Sequence, residues 1–546
     1  MPVIFGETRP VRVNYLDLLA AVLVFAVFVG VGLATIEGYG LTWDEPENLV
    51  VGERYLAFLS SGDASVLDFS RSQPELDNPD GLHFRRLDSH IHPPLPNVLA
   101  ALGGRIFGRW TGWFDPVDAR HIATIVMGGL TVSATYLFAR EAFGRLVAVF
   151  SVLALITYPR FVAHSHFNLK DIPKTLMFVL ALWWIWRGLV FARAAWIASG
   201  GLALGVGLSV RPNLVLAAVA AGVWLMLALP LWRRKRSLWW GLMTAPLCVV
   251  FGFVAVWPTM WIGFVDTVRE LYYYWTMAAL SDRLQWTPYP VLILGIVTPV
   301  PTLVLVCWGV VAIFRLWRYD PERTLALLAL WVGLPLFRVS MPRMNTYDGI
   351  RHLLEVVPAL AILAGLGGQE IVWLASRLKR GFSGLAVGSV VCIFILATIQ
   401  TCDIAPYGIA YFNDVIGGTL GAQNSGIQDA TDYWGTSYRH GCRWLSENAD
   451  VEGVVVVPEG QSHILAAVED IWLREDLALA THSELASGSV YVMFTTRSTE
   501  YGPVEWYCRQ KLRPVFAIET QGASILEIYR FEKAEWNRLQ DGEWAD

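Results

Sequence analysis

The chain is 546 residues long, 55% hydrophobic and only 16% charged, against about 25% charged in an average soluble domain. Its net charge of -5 says little, because in a membrane chain the placement of Lys and Arg matters more than their sum. There is no zinc-type cysteine spacing, no glycine-rich phosphate loop and no basic aromatic array. These features argue against a soluble nucleotide-dependent enzyme and against a nucleic-acid binder.

Apolar stretches long enough to cross a bilayer begin at 16–36, which follows Arg9 and Arg12. This first stretch is too long for a secretory leader and lacks a small-residue cleavage site, so it reads as a retained span with a cytoplasmic N-terminus. Ten more spans are expected at 121–139, 146–163, 172–190, 195–210, 214–232, 238–260, 291–314, 324–337, 352–375 and 385–400. About eleven spans place every basic connector on one side: Arg140 and Arg145, Arg187 and Arg193, Arg233 to Arg236 with Lys235, Arg315, Arg318 and Arg323, then Arg377, Lys379 and Arg380. That is the positive-inside pattern. Residues 93–107 are apolar but shorter than the ~20 a crossing helix needs, and Asn97 and Arg105 interrupt them. Counting them would put the Arg233 to Arg236 cluster outside, so an interfacial helix opened by prolines fits better.

The expected architecture is therefore a polytopic α-helical membrane module, 1–400, with a long outer loop at 37–120, followed by an extracytoplasmic α/β domain at 401–546. In that domain 438–448 has helical patterning, whereas 453–457, 490–495 and 524–531 are rich in β-formers. The six cysteines show no paired spacing.

The residues that stand out lie on the outer side. The first loop opens with Leu41-Thr42-Trp43-Asp44-Glu45-Pro46 and later reaches His92-Pro93-Pro94-Leu95. Ionised groups beside lipid must be solvated, paired or functional. Asp44 can serve as a general base if partly screened from water, and Thr42 with Glu45 equally matches a helix capping box. The second outer loop, His164-Ser165-His166-Phe167-Asn168-Leu169-Lys170-Asp171, adds another acid beside a cation and histidines. Carboxylates from both loops suffice either to activate an acceptor or to hold a divalent ion; alternate-position histidines are not a specific metal signature, so the metal requirement stays open. Arg211 and Arg351, the latter followed by His352, sit at outer ends of spans, where snorkelling and phosphate binding are both served by a guanidinium.

As a set, these residues resemble the polytopic GT-C glycosyltransferases, in particular the family 39 group of protein O-mannosyltransferases and the related aminoarabinose transferases. The carrying motifs are Asp44-Glu45, His92-Pro93-Pro94-Leu95, Phe143-Gly144-Arg145 closing the second span, the loop ending at Asp171, and Arg351-His352-Leu353-Leu354 before Pro358. The resemblance implies a bacterial inner-membrane enzyme that takes a sugar from a polyprenyl-phosphate carrier, with inversion, and gives it to a protein, lipid or glycan acceptor outside. Asp44 and Asp171 match the family's acidic residues and are the expected catalytic pair. Glu45, His92, Lys170, Arg211, Arg351 and His352 are the expected substrate contacts. The histidine-rich second loop and Lys170 depart from the pattern, and the C-terminal segment, with Asp432-Tyr433-Trp434-Gly435, does not look like a β-trefoil.

Two other classes compete. A transporter or flippase for a lipid-linked substrate would place polar groups at midplane and repeat its halves, whereas here they gather at the outer boundary. A non-catalytic scaffold would tolerate loss of Asp44 and not of the C-terminal domain. The topology is checked by single-cysteine labelling with a membrane-impermeant reagent: Gly460→Cys should be modified from outside and Lys235→Cys should not, and the opposite pattern would invert the whole assignment.

Overall fold

The computed structural model describes residues 10–82, 93–273, 281–378, 382–480 and 488–541. Of the residues singled out above, Arg9, His92, Lys379 and Arg380 lie outside this set. The chain separates into two compact units, one drawn from Met1–Leu33, Ile91–Pro96 and Thr124–Asp403, the other from Ala34–His90, Asn97–Ala123 and Ile404–Asp546.

The first unit is helical. Its opening helix, Tyr15–Thr35, starts at a reciprocal cap in which the Asp17 amide donates to Asn14 Oδ1 (3.0 Å) and the Asn14 amide to Asp17 Oδ2 (3.1 Å), the capping-box arrangement. The same buried Asp17 pairs with Arg140 at 2.9 Å and Arg145 at 3.1 Å. The Phe143-Gly144-Arg145 turn thus fastens the first helix to the end of the Pro116–Phe143 helix, with Gly144 at φ 98° supplying the reversal.

Among the described residues six helices are long and apolar enough to cross a bilayer unaided, and a seventh candidate is a pair, Arg145–Ile156 and Pro159–Phe167, bent by 67°. Several expected spans are broken where a proline removes an amide donor. The expected 146–163 span parts at Pro159, 214–232 at Ala228 before Pro230, 238–260 before Pro258, and 291–314 at Thr298-Pro299. The expected 352–375 span begins as a 3-10 turn, Arg351–Val356, before the Val357–Leu378 helix. Eleven crossings therefore require the bent pair, the three shorter apolar helices and the Asp171–Val190 helix to count as spans as well.

Small residues let these helices meet, as expected where lipid offers no hydrophobic drive between them. A Cβ at Gly205 of the Ala194–Leu208 helix would lie 2.1 Å from the Val249 carbonyl oxygen of the Arg236–Ala255 helix, and one at Gly201 2.5 Å from that of Ala245. Gly309 and Gly367 bring the Val300–Leu316 and Val357–Leu378 helices together in the same way, each 2.0 Å from a backbone oxygen of the other helix.

In the second unit the Glu45–Ser61 helix, ended by Gly62 at φ 74°, packs against the Leu95–Gly103 helix. A Cβ at Gly52 would meet the Asn97 oxygen at 2.2 Å, and one at Gly103 the Ala119 oxygen at 2.5 Å. The apolar segment around 93–107 is thus nine residues of α-helix followed by a π-helical turn, Gly104–Trp110. At 1.5 Å per residue those nine span about 14 Å, roughly half a bilayer core.

The same unit holds a five-stranded sheet of β1 (Val454–Val456), β2 (Ala478–Ala480), β3 (Val490–Thr495), β4 (Phe516–Thr520) and β5 (Ala523–Phe531), in the order β2-β1-β3-β5-β4. β1 runs parallel to β2 and β3, while β5 is antiparallel to β3 and β4. The central β3 is buried at all six positions, the pattern of a strand covered on both faces. Phe494, Tyr529, Phe531 and Trp536 fill one side. The packing of the helical unit is checked by Gly205→Ala: the added methyl overlaps backbone and should cost about 1–3 kcal/mol, read as a lower unfolding temperature in detergent, whereas Gly222→Ala, which meets nothing within 4 Å, should be neutral.

Candidate functional site

The helical unit carries a buried network of charges. The Asp171–Val190 helix begins at Asp171, whose amide donates to Asn168 Oδ1 at 2.8 Å while Asn168 Nδ2 donates back to Asp171 Oδ2 at 3.1 Å. The acid at a helix N-terminus is favoured by the helix dipole. Asp171 Oδ1 also faces Lys174 Nζ at 3.1 Å and Arg211 Nε at 3.3 Å. One turn on, Lys174 reaches Glu355 Oε2 at 2.7 Å, and Asp171, Lys174 and Glu355 are all fully buried.

The Arg351–Val356 turn contributes the other edge. Arg351 pairs with Asp348 at 3.1 Å and lies over the Tyr347 ring at 4.9 Å, with the His352 ring edge-on to Tyr347 at 5.4 Å. Arg338 stands within electrostatic range of Glu355, Asp171 and Arg211. Among the described residues its Nε and Nη2 are buried without a hydrogen-bond partner. Among the described residues Lys174, Arg211, Arg338 and Arg351 thus outnumber Asp171, Glu355 and Asp348.

Asp171, Arg211, Arg351 and His352, expected from the sequence, share this one network. Lys170 is half-buried and donates its amide to Asn168 Oδ1 at 3.2 Å, while the cation that grips Asp171 is Lys174. Sequence reasoning missed Lys174, Glu355 and Arg338. The signal was present: each is an ionisable residue inside an apolar helical stretch, itself a mark of function or pairing.

A divalent ion does not fit the donors here. Among the described residues no three His, Cys, Asp or Glu side chains converge. The carboxylates of Asp171 and Glu355 already face cations, His164 Nδ1 accepts from Asn168 at 3.0 Å, and His166 Nδ1 donates to the Val162 carbonyl at 2.9 Å. No chemical step is therefore routed through a metal.

The second unit holds Asp44 and Glu45, and it treats them differently. Glu45 is buried, its Oε2 accepting from the Thr42 amide (2.7 Å) and hydroxyl (2.8 Å) and its Oε1 facing His121 Nε2 at 2.8 Å. Both oxygens are thereby occupied in holding the turn. Asp44 is half-buried at the N-cap position of the Glu45–Ser61 helix and makes no capping bond.

Around them the unit is tied by buried arginines. Arg54 grips Asp77 through Nε (2.8 Å) and Nη2 (2.9 Å), and also donates to the carbonyls of Asp68 and Arg71. Arg120 reaches Glu53 at 2.7 Å and Asp80 at 3.0 Å. Burial works to raise the Asp80 carboxyl, but the Arg109 hydrogen bond and the Arg120 charge outweigh it and hold it below the usual carboxylate range. Arg439 clamps Asp118 with two bonds and Asp115 at 2.6 Å. Burial opposes its charge, and the Asp118 hydrogen bond with the neighbouring acids overrides that.

The sequence comparisons agree with the resemblance drawn from the motifs. Residues 91–262 match the family model described as dolichyl-phosphate-mannose-protein mannosyltransferase. Over 354 residues, 59% of this chain, the sequence is 25% identical to undecaprenyl phosphate-alpha-4-amino-4-deoxy-L-arabinose arabinosyl transferase 1 of Pseudomonas fluorescens (strain Pf0-1). The match covers 56% of that relative's length. Among solved structures, ArnT from Cupriavidus metallidurans in the apo state is matched over 94% of this chain and 97% of that one, at 14% identity and a TM-score of 0.49. The Archaeoglobus fulgidus oligosaccharyltransferase in the apo form is matched over 88% and 69%, at 13% identity and a TM-score of 0.42.

The buried ion chain is checked by a double-mutant cycle. Lys174→Met removes the ion-pair partner of buried Glu355 and should cost about 3–5 kcal/mol. Adding Glu355→Met should recover much of that loss in thermal unfolding; equal destabilisation by the single and double variants would show that the pair is not coupled.

Proposed function

We propose that the chain is an inverting glycosyltransferase that moves a sugar from a polyprenyl-phosphate carrier to a protein, lipid or glycan acceptor on the outer face of the bacterial inner membrane. In this reading the N-terminus is cytoplasmic, residues 1–400 form the membrane module and residues 401–546 the extracytoplasmic domain. The observation that carries the proposal is the cluster of cations at half-buried Arg211 and Arg338 and buried Arg351, with Arg338 Nε and Nη2 buried without a hydrogen-bond partner among the described residues. A buried guanidinium that lacks a partner suits an anionic oxygen arriving with a ligand. The match to a mannosyltransferase family model over 91–262 spans Asp171, Lys174 and Arg211, and the arabinosyl transferase relative is named for an undecaprenyl-phosphate sugar donor; both support the same reading.

The chemistry follows from charge. Asp44 accepts the proton of an acceptor hydroxyl as that oxygen attacks the anomeric carbon from the face opposite the carrier phosphate. The bond from the anomeric carbon to the phosphate oxygen breaks, and the leaving phosphate gains negative charge. Cations preorganised around that oxygen stabilise the transition state more than the bound donor, which is the condition for accelerating the reaction. Asp171, paired with Lys174 and Arg211, holds those cations in place. Glu45, with both oxygens committed to Thr42 and His121, is read as support for the Asp44 turn.

Asp44→Asn keeps the side chain's size and should lower transfer by about 10²-fold or more. Arg351→Ala should weaken use of the donor by about 1.5–3 kcal/mol, the worth of a charged hydrogen bond. Mass spectrometry of envelope glycans from cells carrying each variant, at matched amounts of inserted protein, reads both. Normal product from Asp44→Asn would remove the base from the mechanism.

A further inference from the structure

The motif Asp432-Tyr433-Trp434-Gly435 has no place in the chemistry above, yet it lies against the segment that leads into Asp44. Its geometry is built by Asp432, which is fully buried. That carboxylate accepts from the Gly435 amide (3.1 Å), the Thr436 hydroxyl (3.1 Å) and the Ser437 amide (2.6 Å), while Gly435 takes φ 81°. The result is a tight turn that presents the Trp434 and Thr436 carbonyls to residues 40–43. Trp43 donates its amide to the Trp434 oxygen at 3.0 Å, and Gly40 donates to the Thr436 oxygen at 3.2 Å. A Cβ at Gly40 would stand 2.4 Å from that same oxygen, so the approach needs glycine.

Two side chains complete the hold. Arg439 Nη1, already locked on Asp118, donates to the Tyr39 carbonyl at 3.0 Å. His463 Nε2 donates to the Trp43 carbonyl at 3.0 Å, and its ring meets the Trp43 ring edge-on at 5.0 Å. The Trp43 peptide groups on either side of the residue are thus held from the C-terminal segment, immediately before Asp44, while Thr42 is held by Glu45. Asp44, at the N-cap of the Glu45–Ser61 helix, thus follows a backbone segment held on both sides of Trp43.

We propose that the turn at 432–437, together with Arg439 and His463, positions the Asp44 carboxylate, and that residues 404–541 are in this sense part of the catalytic apparatus. This rests on Asp44 being the base. His463 and Asp432 are positioning residues, acting through the backbone of 39–43. Misplacement of a reacting group by about 1 Å can cost on the order of 10²-fold in rate, so a partial loosening should be visible in turnover.

His463 is half-buried, so replacing it should leave the fold intact. The test uses the full chain in nanodiscs for backbone hydrogen exchange of residues 39–47, and cells carrying the same variants for the chain-dependent envelope glycan. His463→Ala should speed exchange of 39–47 and lower product, each by about tenfold, with an unchanged unfolding temperature. His463→Gln, whose amide nitrogen can occupy the Nε2 position and donate to Trp43, should restore both. Unchanged exchange in His463→Ala, raised exchange with normal product, or failure of His463→Gln to rescue would each overturn the positioning role. Asp44→Asn separates the two readings: normal product from it removes the base and this inference together, whereas lost product from it with normal product from a loosened His463→Ala removes the inference alone.

Discussion

Burying an ion in a low-dielectric interior costs several kcal/mol unless a partner of opposite charge is held close, and the helical unit is organised around that requirement. Asp171, Lys174 and Glu355 form a continuous chain of alternating charge inside the bundle, drawing the Asp171–Val190 helix and the Arg351–Val356 turn to a common point. Asp17 does the same at the Arg140–Arg145 end, and Glu141 joins the indole of Trp183 at 2.8 Å to Arg187 at 3.2 Å. Glycine contacts join other helices of the same unit, Ala194–Leu208 to Arg236–Ala255 and Val300–Leu316 to Val357–Leu378.

The second unit solves a different problem with the same residues. Its loop segments have little regular structure to satisfy their carbonyls, so arginines donate to backbone and carboxylate together. Arg54 does this for 68–77 and Arg439 for Tyr39 and the start of the Pro116–Phe143 helix. A guanidinium's rigid fork of donors suits that task in a way an ammonium does not. The outcome is an ordered surround for Asp44, built from residues far apart in sequence.

Much of the helical architecture was legible because apolar length and proline position are local properties. The first helix was expected at 16–36 and runs Tyr15–Thr35, and the helix at Tyr438–Asn448 and the strands at 454–456, 490–495 and 523–531 fall where patterning placed them. The breaks were less legible, because single prolines inside apolar runs such as Pro159 and Pro299 lower mean hydropathy only slightly while removing the amide a helix needs. β2, three residues long, and β4 were missed, since Ala478–Ala480 has no β-forming bias of its own. At the site, Asp171, Arg211, Arg351 and His352 were visible as polar residues at span ends. Lys174 and Glu355 were hidden within spans, and only their pairing explains why they are tolerated. The capping-box alternative for Thr42 and Glu45 also has substance, since Glu45 does bond back to Thr42.

The Asp171–Lys174–Glu355 chain also sets an order of assembly. Synthesis runs from the N-terminus, so Lys174 enters the membrane together with Asp171, one helical turn away, and the two can neutralise each other at once. Glu355 arrives only after the intervening helices have been made. Until then Lys174 has Asp171 alone of its two acidic partners. The bundle is thus completed late, when the Arg351–Val356 turn arrives and delivers a carboxylate to a lysine inserted long before.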